Sequence, residues 1–191
     1  IGLTVDLAGK RSDSATRQAK ILLKYPVRLT DDCVLSFRLS ERYRPYEPVL
    51  GHRFSSRVDL DWSTAGISPL YGEGDGDAWK SRFRFESLFS RSFAALSYIE
   101  AGRKTGKFAA YLRATVFFVD NWDDRIYSYE RDAPGSFNVP AYYGRGVSAS
   151  AVCSARFRFG KPGGRTRTLR IYSRASILRY PFMKEPRPGA A

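Results

Sequence analysis

The chain has 191 residues, enough for one substantial core or two small ones, and a net charge of +13 with 27% charged residues. No apolar run of about 18 residues is present, which excludes a membrane-spanning helix. Its two cysteines, Cys33 and Cys153, form no framework of the kind a disulfide-built domain needs.

A charge of this sign ordinarily points to nucleic acid, an anionic membrane surface or an acidic ligand. Here the basic residues are dealt out singly between apolar ones, a strand-like pattern and not that of a disordered basic arm. Residues 1–9 place Ile1, Leu3, Val5 and Leu7 on one side. Residues 19–29 set Ile21, Leu23, Tyr25, Val27 and Leu29 against Lys20, Lys24 and Arg28. Residues 33–44 set Cys33, Leu35, Phe37, Leu39 and Tyr43 against Arg38, Arg42 and Arg44. Residues 53–62 set Phe54, Val58, Leu60 and Trp62 against Arg53, Arg57, Asp59 and Asp61. After the Gly- and Asp-rich connection 71–78, Trp79, Phe83, Phe85 and Phe89 alternate with Lys80, Arg82, Arg84 and Glu86. Residues 93–102 are less clearly sided. Residues 107–119 oppose Phe108, Ala110, Leu112, Ala114, Val116 and Phe118 to Tyr111, Arg113 and Thr115. Residues 146–159 oppose Val147, Ala149, Ala151, Cys153, Phe157 and Phe159 to Ser148, Ser150, Arg156 and Arg158. Residues 168–177 oppose Leu169, Ile171, Ala175 and Ile177 to Arg170, Tyr172 and Arg174.

This period of two, with no stretch keeping apolar residues at helical spacing, predicts an all-β chain of about nine strands. Segments of about 9 to 13 residues exceed the common soluble strand of about five or six and approach the 9 to 11 that cross a bilayer at a tilt. Short polar turns are expected at 30–32, 102–106 and 160–164. Longer connections fall at 10–17, 44–51 and, longest, 120–144. Short turns on one rim and long loops on the other are the layout of an antiparallel up-and-down transmembrane β-barrel. Two connections fit it poorly, a long one at 64–78 and a short one at 90–92.

The polar sides are rich in Arg with Ser, Tyr and Asp, which suits a hydrated lumen. Tyr25, Tyr43, Trp62, Trp79, Phe118, Trp122, Phe157 and Phe159 gather near segment ends, as interfacial girdles would. The expected lumenal basic set is Arg38, Arg42, Arg57, Arg82, Arg84, Arg113, Arg156, Arg158, Arg170 and Arg174, together with Lys20, Lys24 and Arg28. Rings of positive charge favour anions. The competing expectation for the same residues is pairing with carboxylates and with a lumenal plug. The cysteines read as small buried or lipid-facing side chains, with a disulfide between them as the alternative.

The segment WDDRIYSYERDAPGSFNVPAYYGRG, residues 122–146, resembles a loop-and-strand signature in large outer-membrane β-barrel proteins of Bacteroidota, some of which carry helix-hairpin-helix or competence-related names. Matching positions are Arg125, Ile126, Tyr127, Tyr129, Glu130, Pro140, Tyr142, Tyr143, Gly144 and Gly146. The resemblance covers about 25 residues. It implies a bacterial outer-membrane location and outer-membrane lipid as the surroundings. Such proteins usually end on a strand with a terminal aromatic and can carry an N-terminal helical domain. This sequence ends in RPGAA after Phe182, so residues 1–191 are expected to be a portion of a larger barrel, with 181–191 irregular or truncated. Nine strands agree with that, since even numbers are the rule for closed single-chain barrels of bacteria.

Candidate chemistry is sparse. His52, the one histidine, is of opposite strand parity to Ser55 and Asp59, so a triad is not expected. One His and two distant Cys supply no metal cluster, and Asp75 with Asp77 lacks the terminal Glu of a calcium loop. No enzyme activity, cofactor or metal is expected. In 125–130 the alternate residues Arg125, Tyr127 and Tyr129 share a face; if that face points inward, Glu130 or Asp132 is expected to pair with a lumenal arginine and pin the loop to the wall, with ligand binding by the same residues as the alternative. The expected function is that of a channel, translocation or scaffold component passing anionic solutes, single-stranded nucleic acid among them, with a plug or partner protein of unknown kind. The alternative is a soluble basic β-domain that binds nucleic acid.

Overall fold

A computed structural model of the chain describes residues 2–10, 16–44, 51–64, 67–68, 72–73, 78–133, 136–160 and 167–182. Among them the chain is all-β, with one single-turn helix at Trp122–Asp124. The strands are β1 Gly2–Lys10, β2 Thr16–Thr30, β3 Cys33–Arg44, β4 Gly51–Ser63, β5 Ile67–Ser68, β6 Gly72–Glu73, β7 Ala78–Phe89, β8 Phe93–Lys104, β9 Phe108–Val119, β10 Ile126–Tyr127, β11 Ala141–Tyr142, β12 Gly144–Phe159 and β13 Arg167–Arg179. No helix among these residues is long and apolar enough to cross a membrane.

Nine of these strands form one sheet in the order β1-β2-β3-β4-β7-β8-β9-β12-β13, every neighbouring pair antiparallel and consecutive along the large sheet. The sheet does not close: β1 and β13 are its edges. Because the strands alternate in direction and are nine in number, the two edges run the same way. The strand ends Thr30 and Cys33, Ser63 and Ala78, Lys104 and Phe108, and Phe159 and Arg167 lie on one rim; Lys10 and Thr16, Arg44 and Gly51, Phe89 and Phe93, and Val119 and Gly144 lie on the other.

Two of the boundaries that differ from the sequence expectation involve glycine. Gly102 is not part of a turn; β8 runs on to Lys104, and Gly102 lies directly opposite Tyr111. A Cβ at Gly102 would clash with the Ala110 carbonyl oxygen and the Tyr111 ring, so the tyrosine lies across the glycine and the strands stay paired. Gly144 begins β12, and the connection before it is 120–143.

Register sorts the side chains by face. On one face, cross-strand neighbours from β2 to β13 form the row Val27, Leu35, Leu60, Phe83, Ile99, Ala114, Ala149 and Ile177. Every member is apolar. A second row runs Tyr25, Phe37, Val58, Phe85, Ser97, Val116 and Val147. Much of this face is uncovered: Ile99 is 57% exposed, Phe83 42% and Ile177 52%. Cys33 and Cys153 lie on it by parity and are free.

The core sits on the opposite face, where the long connection folds back over β7, β8, β9 and β12. Ile126 and Tyr142 enter a cluster with Leu88, Ala94, Leu96, Tyr98, Phe117 and Val119, against which Tyr180 also packs. Gly146 lies opposite Phe117 and leaves room for that ring. The connection is itself a narrow ribbon, with Ser128 N–H donating to Pro140 O at 3.3 Å and Glu130 N–H to Asn138 O at 3.0 Å around the β10–β11 pair. Asn121 caps the helical turn, its side-chain oxygen accepting from Asp123 N–H at 3.2 Å. Buried Asp124 accepts from the Ser92 hydroxyl at 2.6 Å and its N–H at 3.1 Å, which fastens the ribbon to the 90–92 turn.

Candidate functional site

The second face of the sheet collects the charges, because the residues between the apolar ones fall there on every strand. Its central row reads Asp61, Arg82, Glu100 and Arg113 across β4, β7, β8 and β9, alternating in sign at each step. Opposite charges in cross-strand pairs attract. Arg82 Nε donates to Asp61, and Arg84 binds Asp59 through Nε and, at 3.2 Å, through a terminal nitrogen. Arg57 Nε donates to Glu86 at 3.0 Å.

The most buried pair is Arg113 with Glu100, each 5% exposed in the side chain. Arg113 Nε and a terminal nitrogen reach one Glu100 oxygen at 2.9 and 2.7 Å, and its other terminal nitrogen donates to Tyr129 O at 2.7 Å. Its guanidinium stands 3.9 Å from the centre of the Tyr98 ring. The other Glu100 oxygen accepts from Arg131 at 2.6 Å, and Arg131 stacks 4.1 Å over Tyr111. Such a pair offsets the desolvation of both ions only because the remaining lone pairs and protons are also used. Glu100, Tyr98 and Arg131 were not singled out from sequence. The weak sidedness of residues 93–102 hid the first two, and Arg131 lies in a connection.

In the 125–130 segment the inward face is the one without Arg125, Tyr127 and Tyr129. Ile126, Ser128 and Glu130 turn to the sheet and are buried, while Tyr127 and Tyr129 are about half exposed. Arg125 stays at the rim, its Nε donating to the Tyr127 hydroxyl at 2.6 Å. The expected contact with an arginine of the sheet is present: Glu130 accepts from Arg174 at 2.6 Å and from the Tyr142 hydroxyl. Asp132 instead accepts from the neighbouring Ala133 N–H at 2.7 Å. Burial and then the Glu130 carboxylate push the Tyr142 phenol up to about 12. Tyr143 stacks edge-on with Trp122, ring centres 5.3 Å apart. At the same rim Arg145 binds Asp120 at 2.6 and 2.7 Å, and that hydrogen bond holds the Asp120 carboxyl below its ordinary value.

The remaining expected basic residues divide into two like-charged groups. Near one edge, Arg38 lies between Lys24 and Arg57, and Arg42 between Lys20 and Arg53. Arg53 donates to Arg125 O at 3.0 Å, a further tether for the ribbon. Arg28 pairs with Asp31 in the adjoining turn at 3.2 Å. Near the other edge, Arg156 lies opposite Arg170, with Arg158 opposite Thr168.

His52 lies on the apolar-face parity with its Nδ1 2.9 Å from Glu41, whereas Ser55 faces the other way and shares a 2.7 Å hydrogen bond with Ser40. No histidine, serine and carboxylate triad is assembled there. Among the described residues no three His, Cys, Asp or Glu side chains gather as a metal site, and Asp75 and Asp77 lie outside those residues. Comparison with known protein families, with curated proteins and with solved structures finds no match for this chain.

Proposed function

We propose that the nine-stranded sheet is part of the wall of an outer-membrane β-barrel, its apolar face toward acyl chains and its charged face toward a hydrated lumen, acting as a channel, translocation or scaffold component for anionic solutes. The observation that carries this reading is the eight-strand apolar row from Val27 to Ile177, over which no described residue folds while a 24-residue connection folds instead onto the charged face. A soluble sandwich would cover the greasy side. Side chains left about half exposed forgo roughly 1 kcal/mol each against full burial, so two such rows in water would cost on the order of the whole stability of a small domain. Lipid removes that cost.

Aromatics on the apolar face support two interfacial levels. Trp62, Trp79, Phe108 and Phe159 stand toward one rim; Phe54, Phe89, Phe93 and Phe118 stand toward the other. Phe54, Phe89 and Phe93 are consecutive cross-strand neighbours. The rim bearing the long ribbon would be the external one, as in barrels with short turns inside. An all-antiparallel closed wall needs an odd number of further strands between β13 and β1, from more sequence or another chain. The resemblance of residues 122–146 to barrels of Bacteroidota fits the same setting.

A soluble nucleic-acid binder would interleave free arginines with stacking aromatics on one surface. Here the large aromatics and the arginines mostly separate to opposite faces, and Arg57, Arg82, Arg84 and Arg113 already hold carboxylates. The test is quenching of Trp62 and Trp79 by brominated acyl chains after reconstitution into vesicles. Strong quenching of both is expected. Tryptophan emission indifferent to the brominated lipid, from a chain that stays in solution without detergent, would overturn the reading.

A further inference from the structure

Five of the inner-face arginines follow one rule. Arg57, Arg82, Arg84, Arg113 and Arg174 each meet a carboxylate. Arg156 on β12 and Arg170 on β13 meet each other: they are directly opposite, on the same face, with no carboxylate in ion-pair range among the described residues. Like charges so placed repel, and a sheet that supplies a counter-charge at five other arginines supplies none here.

Beside this pair the surface is hollow. The neighbouring cross-strand row reads Lys104, Ala109, Ser154 and Tyr172, so the one-carbon side chain of Ala109 forms a floor between a lysine, a hydroxyl and a phenol. Lys104, Ala109, Ser154, Arg156, Arg170 and Tyr172 together line a cleft of about 60 Å³. At about 30 Å³ per liquid water that admits one compact anion and no nucleobase. Two guanidinium groups suit a doubly charged tetrahedral oxyanion, since guanidinium binds phosphate through parallel N–H donors and the hydroxyls can donate to the remaining oxygens.

We propose that this cleft, at the rim opposite the long ribbon, binds a phosphate group. The inference names the anion class for the channel reading and rests on it only in taking this face as the hydrated one. The shared chemistry is the phosphate dianion, whether free or at the end of a larger solute.

The test is titration of the whole chain, in detergent micelles or in buffer if it proves soluble, with inorganic phosphate followed by phosphorus NMR, and in parallel with adenosine monophosphate. Saturable binding is expected, about tenfold weaker in Arg170→Gln, as loss of one charge-assisted contact implies. Arg170 stands exposed on an edge strand, so this variant leaves the packing intact. Ala109→Leu fills the floor without altering charge and should abolish binding, and Arg145→Gln, at the other rim, should leave it unchanged. Free phosphate binding as tightly as the nucleotide identifies the free anion as sufficient; tighter nucleotide binding that still fails in Ala109→Leu identifies a terminal phosphate on a larger solute. Binding that does not saturate, that survives Ala109→Leu, or that weakens equally in Arg145→Gln overturns the site. Lipid quenching and phosphate titration fail independently, so a wrong membrane reading and a wrong anion site are separable.

Discussion

Glu130 in the long connection and Arg174 in the last strand of the sheet meet at 2.6 Å across 44 residues of sequence. The Tyr142 hydroxyl donates to the same carboxylate. One buried side chain thereby joins the ribbon to the sheet and the two arms of the ribbon to each other. Glu130→Ala should therefore free the ribbon before it harms the sheet. Loss of a charge-assisted contact on a buried acceptor, discounted for the partly exposed Arg174, is about 2 kcal/mol. Trypsin should then cleave after Arg125 and Arg131 much faster, with the β signal in circular dichroism retained. Cleavage at the parent rate would show that Ile126 and the Arg113 contact hold the ribbon unaided.

The Tyr142 phenol is raised from 10.0 to about 12 by burial and by Glu130. The unfolded or detached form gives up this proton first, so the contribution is fully present below pH 10 and is lost as the pH rises toward 12. Ribbon attachment, read by protease protection, should weaken across that window. Tyr142→Phe lacks the titrating proton and should flatten the alkaline limb, although it also loses the hydrogen bond to Glu130 and begins from lower stability. An unchanged alkaline limb in Tyr142→Phe would assign it to another group.

Strand positions were legible because burial of one face imposes a period of two on every long segment, and Cys33 to Arg44 is delimited as the alternation alone predicts. The same rule misreads places where a third element intervenes. Ala94 and Leu96 are apolar on the charged face because the ribbon packs there, so residues 93–102 carry apolar residues on both sides and lose their sidedness. Phe117 and Val119 are apolar there for the same reason. Which face of the ribbon turns inward is not legible from parity alone, since Arg125, Tyr127 and Tyr129 alternate with Ile126, Ser128 and Glu130 and it is Ile126 that fills the core. Arginine positions were readable from parity, but their partners were not, since pairing depends on the register between strands. Gly102 looked like a turn because the Tyr111 ring that lies across it comes from the next strand.

That close approach carries its own prediction. The Ala110 carbonyl is part of the β8–β9 ladder and cannot step aside, so Gly102→Ala should separate the strands locally and cost about 2 kcal/mol as an overpacking defect. Tyr111→Ala should cost less, because it uncovers the glycine and the Arg131 guanidinium without forcing backbone apart. A melting comparison ranks the two, and the reverse order would mean that the ring, not the missing Cβ, dominates.

The alternating row permits a test in which structure and permeation move together. Arg82→Glu sets a carboxylate between Asp61 and Glu100, where neighbours repel, and it removes one positive charge from the face while adding a negative one. Stability should fall, and in planar bilayers a wall carrying this variant should shift toward cation selectivity. Adding Asp61→Arg restores opposite charges across β4 and β7 and returns the net charge of the face to its original value. If the pair acts locally, the double variant regains most of the lost stability, and the coupling between the two sites should be about 1 kcal/mol or more, as for contacting charges. If the face lines a conduction path, selectivity returns with it, because the sum of charge near the axis governs ion preference while the order of Asp and Arg within the pair does not. Recovery of stability without recovery of selectivity would leave the ion pair as scaffolding and move the permeating path elsewhere; no selectivity shift in either variant would remove the lumen from this face altogether.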